Sequence, residues 1–189
     1  MTEKGSGLWF RAILPARFIE CQRGVAAVEF ALILPVLILL LLGSSELTRA
    51  LTYNRKVTQA GYTVGDLVAQ SDSVSASDVT DIYTAAGAIM QPYPSDGLNV
   101  VIASVVFDED ANATVAWSCT NGSGAWPTGG SPPITIPDGL KLANTSLIIT
   151  VSSYSYRPTF DAIIPNAIEM GETFFLRPRL VETISDPGC

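Results

Sequence analysis

At 189 residues, with 48% apolar side chains, 15% charged ones and a formal net charge of −7, the chain has room for one modest folded domain beside any membrane segment. The charge is unevenly placed: residues 1–23 carry four basic and two acidic side chains, residues 46–189 seven basic and fifteen acidic. An acidic domain without a basic patch argues against nucleic acid as a partner, and the absence of histidine excludes Ser-His-Asp and Cys-His catalysis and the common zinc sites.

Residues 1–20 scatter Trp9, Phe10 and Phe18 among basic side chains and read as a leader lying along a membrane surface. From Val25 to Gly43 only Glu29 is charged and only Pro35 breaks a run of Ala, Val, Phe, Leu and Ile. A helix of about 20 such residues spans a bilayer, and this one has no polar face to mark it as a core helix. The basic flank predicts that residues 1–24 face the cytoplasm and the acidic remainder the far side. A carboxylate inside a span costs about 2.5–3.5 kcal/mol on insertion scales and is a functional signal by default. The plainer reading is that Glu29 lies near the cytoplasmic end and snorkels to the interface. Two other readings of the run are a secretory signal cut near Gly43-Ser44-Ser45 and an uncleaved anchor; its length disfavours the first.

Beyond the span, Leu47, Ala50, Val57, Gly61, Val64 and Val68 recur at helical spacing, so the helix is expected to run on to residue 70. From Val25 that is about 69 Å of helix, with a kink expected at Pro35. Ser71 to Ser77 reads as a linker and N-cap, and Asp78 to Met90 as a second helix ended by Pro92 and Pro94. Strands are predicted at Val100–Phe107, at Thr114–Trp117 returning antiparallel, at Thr145–Tyr156 and at Thr173–Leu180, the last on an edge because of Pro178. In Thr145–Tyr156 the apolar phase slips at Ser152-Ser153, which predicts a β-bulge. Asn121 to Asp138, dense in Gly and Pro, is expected to be loop. Asp108, Asp110 and Asn112 imitate a calcium loop, but Ala113 and Cys119 stand where Gly and Glu are required; a hairpin turn is the better reading and no metal site is expected. Cys119 and Cys189 would share the far side of the membrane and suggest a disulfide, with two free thiols as the alternative; closing so long a loop contributes roughly 3–5 kcal/mol in the chain-entropy model.

Cutting after Gly24 would free an amine on Val25 one helical turn from Glu29, close enough for mutual neutralisation or pairing across subunits. A Gly followed by an apolar run with Glu at its fifth position is similar to the cleavage site of type IV pilin-class precursors. The string Arg23-Gly24-Val25-Ala26-Ala27-Val28-Glu29-Phe30-Ala31-Leu32-Ile33-Leu34-Pro35-Val36-Leu37 resembles the TadE-like family of tight-adherence (Flp) pilus assembly proteins, minor pilins or pseudopilins. Phe30 departs mildly from the Tyr often found there and keeps the aromatic ring. Tyr154-Ser155-Tyr156-Arg157-Pro158, Arg177-Pro178-Arg179 and Trp117-Ser118 are less specific points of similarity.

The resemblance implies an α+β chain: a cleaved leader (1–24), a kinked transmembrane helix (25–45), its periplasmic extension (46–70) and a pilin-like periplasmic domain with a small antiparallel sheet (71–189). It implies a single-pass protein of the bacterial inner membrane, with a prepilin peptidase, other Tad/Flp pilins, inner-membrane assembly proteins and membrane lipid as partners. Gly24 and Val25 would serve processing, Glu29 and Phe30 subunit assembly. The alternative is an anchored periplasmic domain that binds a ligand or surface and joins no filament. No catalytic residue, cofactor or small-molecule substrate is expected: Gly122-Ser123-Gly124 lacks the rest of a nucleophile elbow, and no phosphate-binding G-x-x-x-x-G-K-[ST] occurs.

Overall fold

The computed structural model describes residues 22–159 and 166–189, with side chains from residue 24 onward. Residues 1–21, which include Cys21 and all but the last three residues of the expected leader, lie outside the described residues. Contacts divide the chain into two compact units, Met1–Ser45 and Glu46–Cys189. Helix α1 runs from Gln22 to Ala69, 48 residues, and continues through Pro35.

In the first unit, residues 24–41 are exposed all round the helix. The apolar stretch carries no polar stripe, and no part of it is covered. The helix is long and apolar enough to cross a membrane.

The second unit is an α+β domain. Four strands, β1 (Leu98–Phe107), β2 (Ala113–Thr120), β3 (Ser146–Tyr156) and β4 (Ile168–Leu176), form an antiparallel sheet of order β2-β1-β3-β4. Helix α2 (Ala76–Met90) starts at Ser75, which forms a capping box with Asp78. The linker expected at Ser71–Ser77 thus contains the cap. At the other end of α2, Lys56 Nζ donates to the carbonyls of Ile89 (2.8 Å) and Gln91 (2.7 Å), a cation on the negative end of the helix.

One face of the sheet packs on α1 and α2. Val57, Ala60, Val64 and Val68 of α1 and Val79, Ala86 and Met90 of α2 meet Val100, Ile102, Trp117, Ile148, Tyr154 and Tyr156. The stripe on α1 is the expected one except at its start, where Leu47 is exposed and Glu46 is buried instead. The helix lies very close to β3. A Cβ at Gly61 would fall 2.6 Å from Ser152 Oγ, and one at Gly65 would fall 2.6 Å from Thr150 Oγ1 and 2.7 Å from Leu176 Cδ1. Glycine is required here by contact.

The other face is covered at one end. Val101, Ala103, Val105, Phe107, Val115, Leu147 and Ile149 pack beneath Trp126 and Ile136, contributed by the loop after β2. That loop is held by backbone bonds between Val115 and Gly129 (2.8 Å) and Gly130 (2.9 Å).

Two strand expectations are corrected. Pairing runs without a slip through Ser152 and Ser153 on both sides of β3, so no bulge lies there. The apparent change of phase arises because β3 is buried on both faces at its start, Leu147 and Ile149 under the loop and Ile148 under the helices, and mainly on one face at its end, where Tyr154 and Tyr156 sit. The bulge is on β2: Ser104 opposes Trp117 while Val105 opposes Val115, leaving Ala116 as the extra residue and turning Val115 and Trp117 to opposite faces. The last strand, expected at Thr173–Leu180, spans Ile168–Leu176. It occupies an edge as expected but stops before Pro178, and Arg179 N then donates to Ala69 O at 2.8 Å, closing the end of α1.

The chain after β4 has no regular structure and is tied to the core at three points. Trp117 Nε1 donates to Ile184 O at 2.8 Å, Ser146 Oγ donates to Glu182 O, and Cys119 and Cys189 are joined in a disulfide with their Cα atoms 5.7 Å apart.

Gly61→Ala is expected to lower the stability of the solubilised protein by about 1–3 kcal/mol, despite a helix-propensity gain of about 1 kcal/mol. Gly43→Ala, where an added Cβ meets nothing within 4 Å, should be neutral or slightly stabilising; thermal unfolding by circular dichroism in detergent compares the two. Cys189→Ser should remove roughly 3–5 kcal/mol in the chain-entropy model, read from the shift in denaturant midpoint.

Candidate assembly site

The residues that single out the start of α1 all fall on its first turns. Gly24, Val25, Glu29 and Phe30 are helical and exposed, with Val25 59% and Phe30 58% accessible. Positions 25 and 29 are four apart, so their side chains stack on one face of the helix. Among the described residues Glu29 makes no hydrogen bond or ion pair. It is the one carboxylate in the apolar stretch, and it faces outward.

Gly24 is informative because no contact among the described residues requires it. It is helical, and an added Cβ would meet nothing within 4 Å. A glycine in that position costs about 0.8–1.0 kcal/mol relative to Ala. The contrast with Gly61 and Gly65 is direct: those two admit β3, whereas a Cβ at Gly24 would meet nothing among the described residues.

Pro35 lies within α1. Having no N–H, it leaves the Ala31 carbonyl without its usual helical donor.

A second site, which the sequence reading missed, lies at Glu46, the first charge after the apolar stretch. Its side chain is 4% exposed. Oε1 accepts from the Tyr156 hydroxyl (2.5 Å) and from Thr159 N (2.9 Å). Arg49 Nη1 donates to Thr159 Oγ1 at 3.0 Å. The Tyr156 and Thr159 hydrogen bonds hold the Glu46 carboxyl below its ordinary value, against the opposing effect of burial, and Arg49 adds to the lowering. Burial, and then the neighbouring carboxylate, push the Tyr156 hydroxyl well above the usual phenol range. Tyr53 packs beside this pair, its ring centroid 4.8 Å from Tyr156, 5.4 Å from Tyr154 and 4.2 Å from Tyr93. The arrangement fixes the first turn of α1 in the second unit to the end of β3. The signal available in the sequence was spacing: 46, 50, 53, 57, 60, 64 and 68 form one stripe, with a carboxylate at its head.

The lowered Glu46 value carries a pH dependence. Stabilisation from this group is complete above the ordinary glutamate value of 4.5 and is lost as pH falls through the lower folded-state value. Glu46→Gln is expected to cost about 1–3 kcal/mol at neutral pH and to flatten the acid limb of the stability profile. Denaturant midpoints measured from neutral pH down to pH 3 check both effects.

Compared with known proteins, residues 24–65 match the family model described as TadE-like protein. No curated protein and no solved structure matches the chain. The matched segment begins at Gly24, takes in Val25, Glu29, Phe30 and Pro35, and ends at Gly65, where α1 touches β3; over that span, somewhat under a quarter of its length, the chain is similar to TadE-like proteins.

Proposed function

We propose that the chain is a pseudopilin-class assembly component of a tight-adherence (Flp) pilus system, processed by a prepilin peptidase and acting in pilus biogenesis, adherence and secretion. The observation that carries this reading is the pairing of Gly24, a helical glycine without a packing role, with Glu29, an outward carboxylate one turn beyond Val25. The TadE-like match over the same residues supports it.

On this reading the apolar helix holds the precursor in the bacterial inner membrane as a single-pass protein. Residues 1–24 are cytoplasmic and the acidic domain is periplasmic, as the flanking charges favour. Hydrolysis of the Gly24–Val25 peptide bond frees the Val25 amine. The Glu29 carboxylate of one subunit then pairs with the Val25 amine of another and sets the register in which helices pack, with Phe30 against the neighbouring helix. Two charges that are costly in lipid neutralise each other. Packing between apolar helices replaces contact with lipid tails and supplies most of the association energy. Pro35, lacking a helical donor, gives the helix a place to bend. The partners are the peptidase, other Tad/Flp pilins and inner-membrane assembly proteins.

The test is the mature N-terminus of protein taken from the native membrane, by intact mass and end sequencing. A chain beginning at Val25 is expected. An intact Met1 end would make it a plain membrane anchor bearing a binding domain, and a start at Glu46 a secreted product; either overturns the reading. Gly24→Leu should block processing. Glu29→Ala should leave membrane insertion unchanged and reduce incorporation into the pilus or pseudopilus by about 10- to 100-fold, the equivalent of losing one charged hydrogen bond of about 1.5–3 kcal/mol; normal piliation would remove the pairing step.

A further inference from the structure

The sequence holds three Asn-x-Ser/Thr triplets: Asn112-Ala113-Thr114, Asn121-Gly122-Ser123 and Asn144-Thr145-Ser146. Such a triplet is an acceptor for N-linked glycan where a transferase can reach both the amide and the hydroxyl. The fold presents the three very differently.

In the third triplet the hydroxyl is out of reach. Ser146 is 2% exposed, and its Oγ is bonded to Glu182 O beneath the chain that follows β4. In the second the amide is committed at both ends. Asn121 Oδ1 accepts from Val100 N at 2.7 Å and its Nδ2 donates to Leu98 O at 3.0 Å, closing the open end of the β1–β2 pair. Swinging it out breaks both bonds.

The first triplet is different. Asn112 lies in the tight connection between β1 and β2, and Thr114 on the first residues of β2; both are exposed. One Nδ2 proton is shared with Asp108 Oδ2 at 3.0 Å, leaving the second proton of the amide free to solvent. The turn does not depend on that contact. The Asp108 carboxylate also accepts from the backbone N–H groups of Asp110 (2.9 Å) and Asn112 (2.8 Å), and Asp108 N and O bond to Asn112 O and Ala111 N. Asp110 places an acidic side chain two residues before the acceptor, where the other triplets have Cys119 and Leu142.

We infer that Asn112 is an N-glycan acceptor, modified from a lipid-diphosphate-linked oligosaccharide. A bond forms between Asn112 Nδ2 and the anomeric carbon of the sugar, and the bond from that carbon to the diphosphate oxygen breaks. The lipid diphosphate leaves, and the amide gives up one proton to a base of the transferase. In the cell this requires the domain to be on the far side of the membrane, and so rests on the orientation proposed above; the chemistry at Asn112 does not.

The test is therefore run on the solubilised full-length chain, independent of orientation. Purified oligosaccharyltransferase that reads Asn-x-Ser/Thr alone is supplied with a lipid-diphosphate-linked oligosaccharide, and occupancy is followed by glycopeptide mass spectrometry. Asn112 is expected to be modified at least about tenfold faster than Asn121, since freeing Asn121 breaks two hydrogen bonds to the backbone of β1, with Asn144 unmodified. Tryptic peptides of the same chain should lose that preference. Thr114→Val, which removes the hydroxyl and spares the turn, should abolish modification at Asn112, as should Asn112→Gln. An unmodified Asn112 in the folded chain, or equal rates at the three asparagines, would overturn the inference.

Discussion

One helix changes character along its length. Over its first half α1 is apolar on every face and exposed; over its second half it presents a narrow stripe to a sheet and keeps the rest exposed. The change is made within a few residues. Leu41 and Leu42 end the apolar stretch, Gly43, Ser44 and Ser45 follow, and Glu46 is the first charge. That charge is turned inward, onto Tyr156 and Thr159, so the register of the stripe is set at its first position. With Glu46 inward, Val57, Val64 and Val68 fall on the core, and Gly61 and Gly65 fall where β3 is closest. A helix rotated by one residue would put Leu47 in place of the carboxylate and Tyr62 against Ser152.

The sheet is stabilised from both sides in unequal ways. The helical face is a continuous apolar layer, whereas the opposite face is covered at one end by a loop that contributes Trp126 and Ile136. A four-stranded sheet with one helical layer buries little apolar area for its length, and a chain of this size gains from covalent help. The Cys119–Cys189 bond supplies it, at the strand that also carries Trp117. The disulfide, the Trp117–Ile184 bond and the Ser146–Glu182 bond together hold down a stretch of chain that has no secondary structure of its own.

The legible parts of this fold were those encoded locally. The apolar stretch, the α1 stripe, an N-cap within Ser71–Ser77 and the β-branched run of β1 are each readable within a dozen residues; Glu29 stood out as a charge in an apolar run, and Gly24 by its spacing from it. The disulfide was legible from topology and count. What failed was non-local. The phase of β3 misled because burial on two faces changes along the strand, a property of the loop above it. The bulge at Ala116 is invisible because Ala-Thr-Val-Ala-Trp has no break in pattern. The first half of β4, Ile168-Glu169-Met170-Gly171-Glu172, reads as polar because it is an edge with its glutamates in water. The contact of Glu46 with Tyr156 joins residues 110 apart, and only the assembled sheet brings them together.

The glycines of α1 separate structural from functional demand. A helical glycine costs stability wherever it lies, so each needs a reason. Gly61 and Gly65 have one in the atoms of Ser152, Thr150 and Leu176. Gly43 precedes Ser44 and Ser45, whose hydroxyls bond back to the carbonyls of Leu41 (3.0 Å) and Leu42 (2.8 Å), a local competition that weakens helices slightly. Among the described residues Gly24 has neither a close neighbour nor a left-handed backbone to account for it. On the proposed reading its role lies instead in recognition by a processing peptidase, and its cost in helix stability is then borne for a partner rather than for the fold.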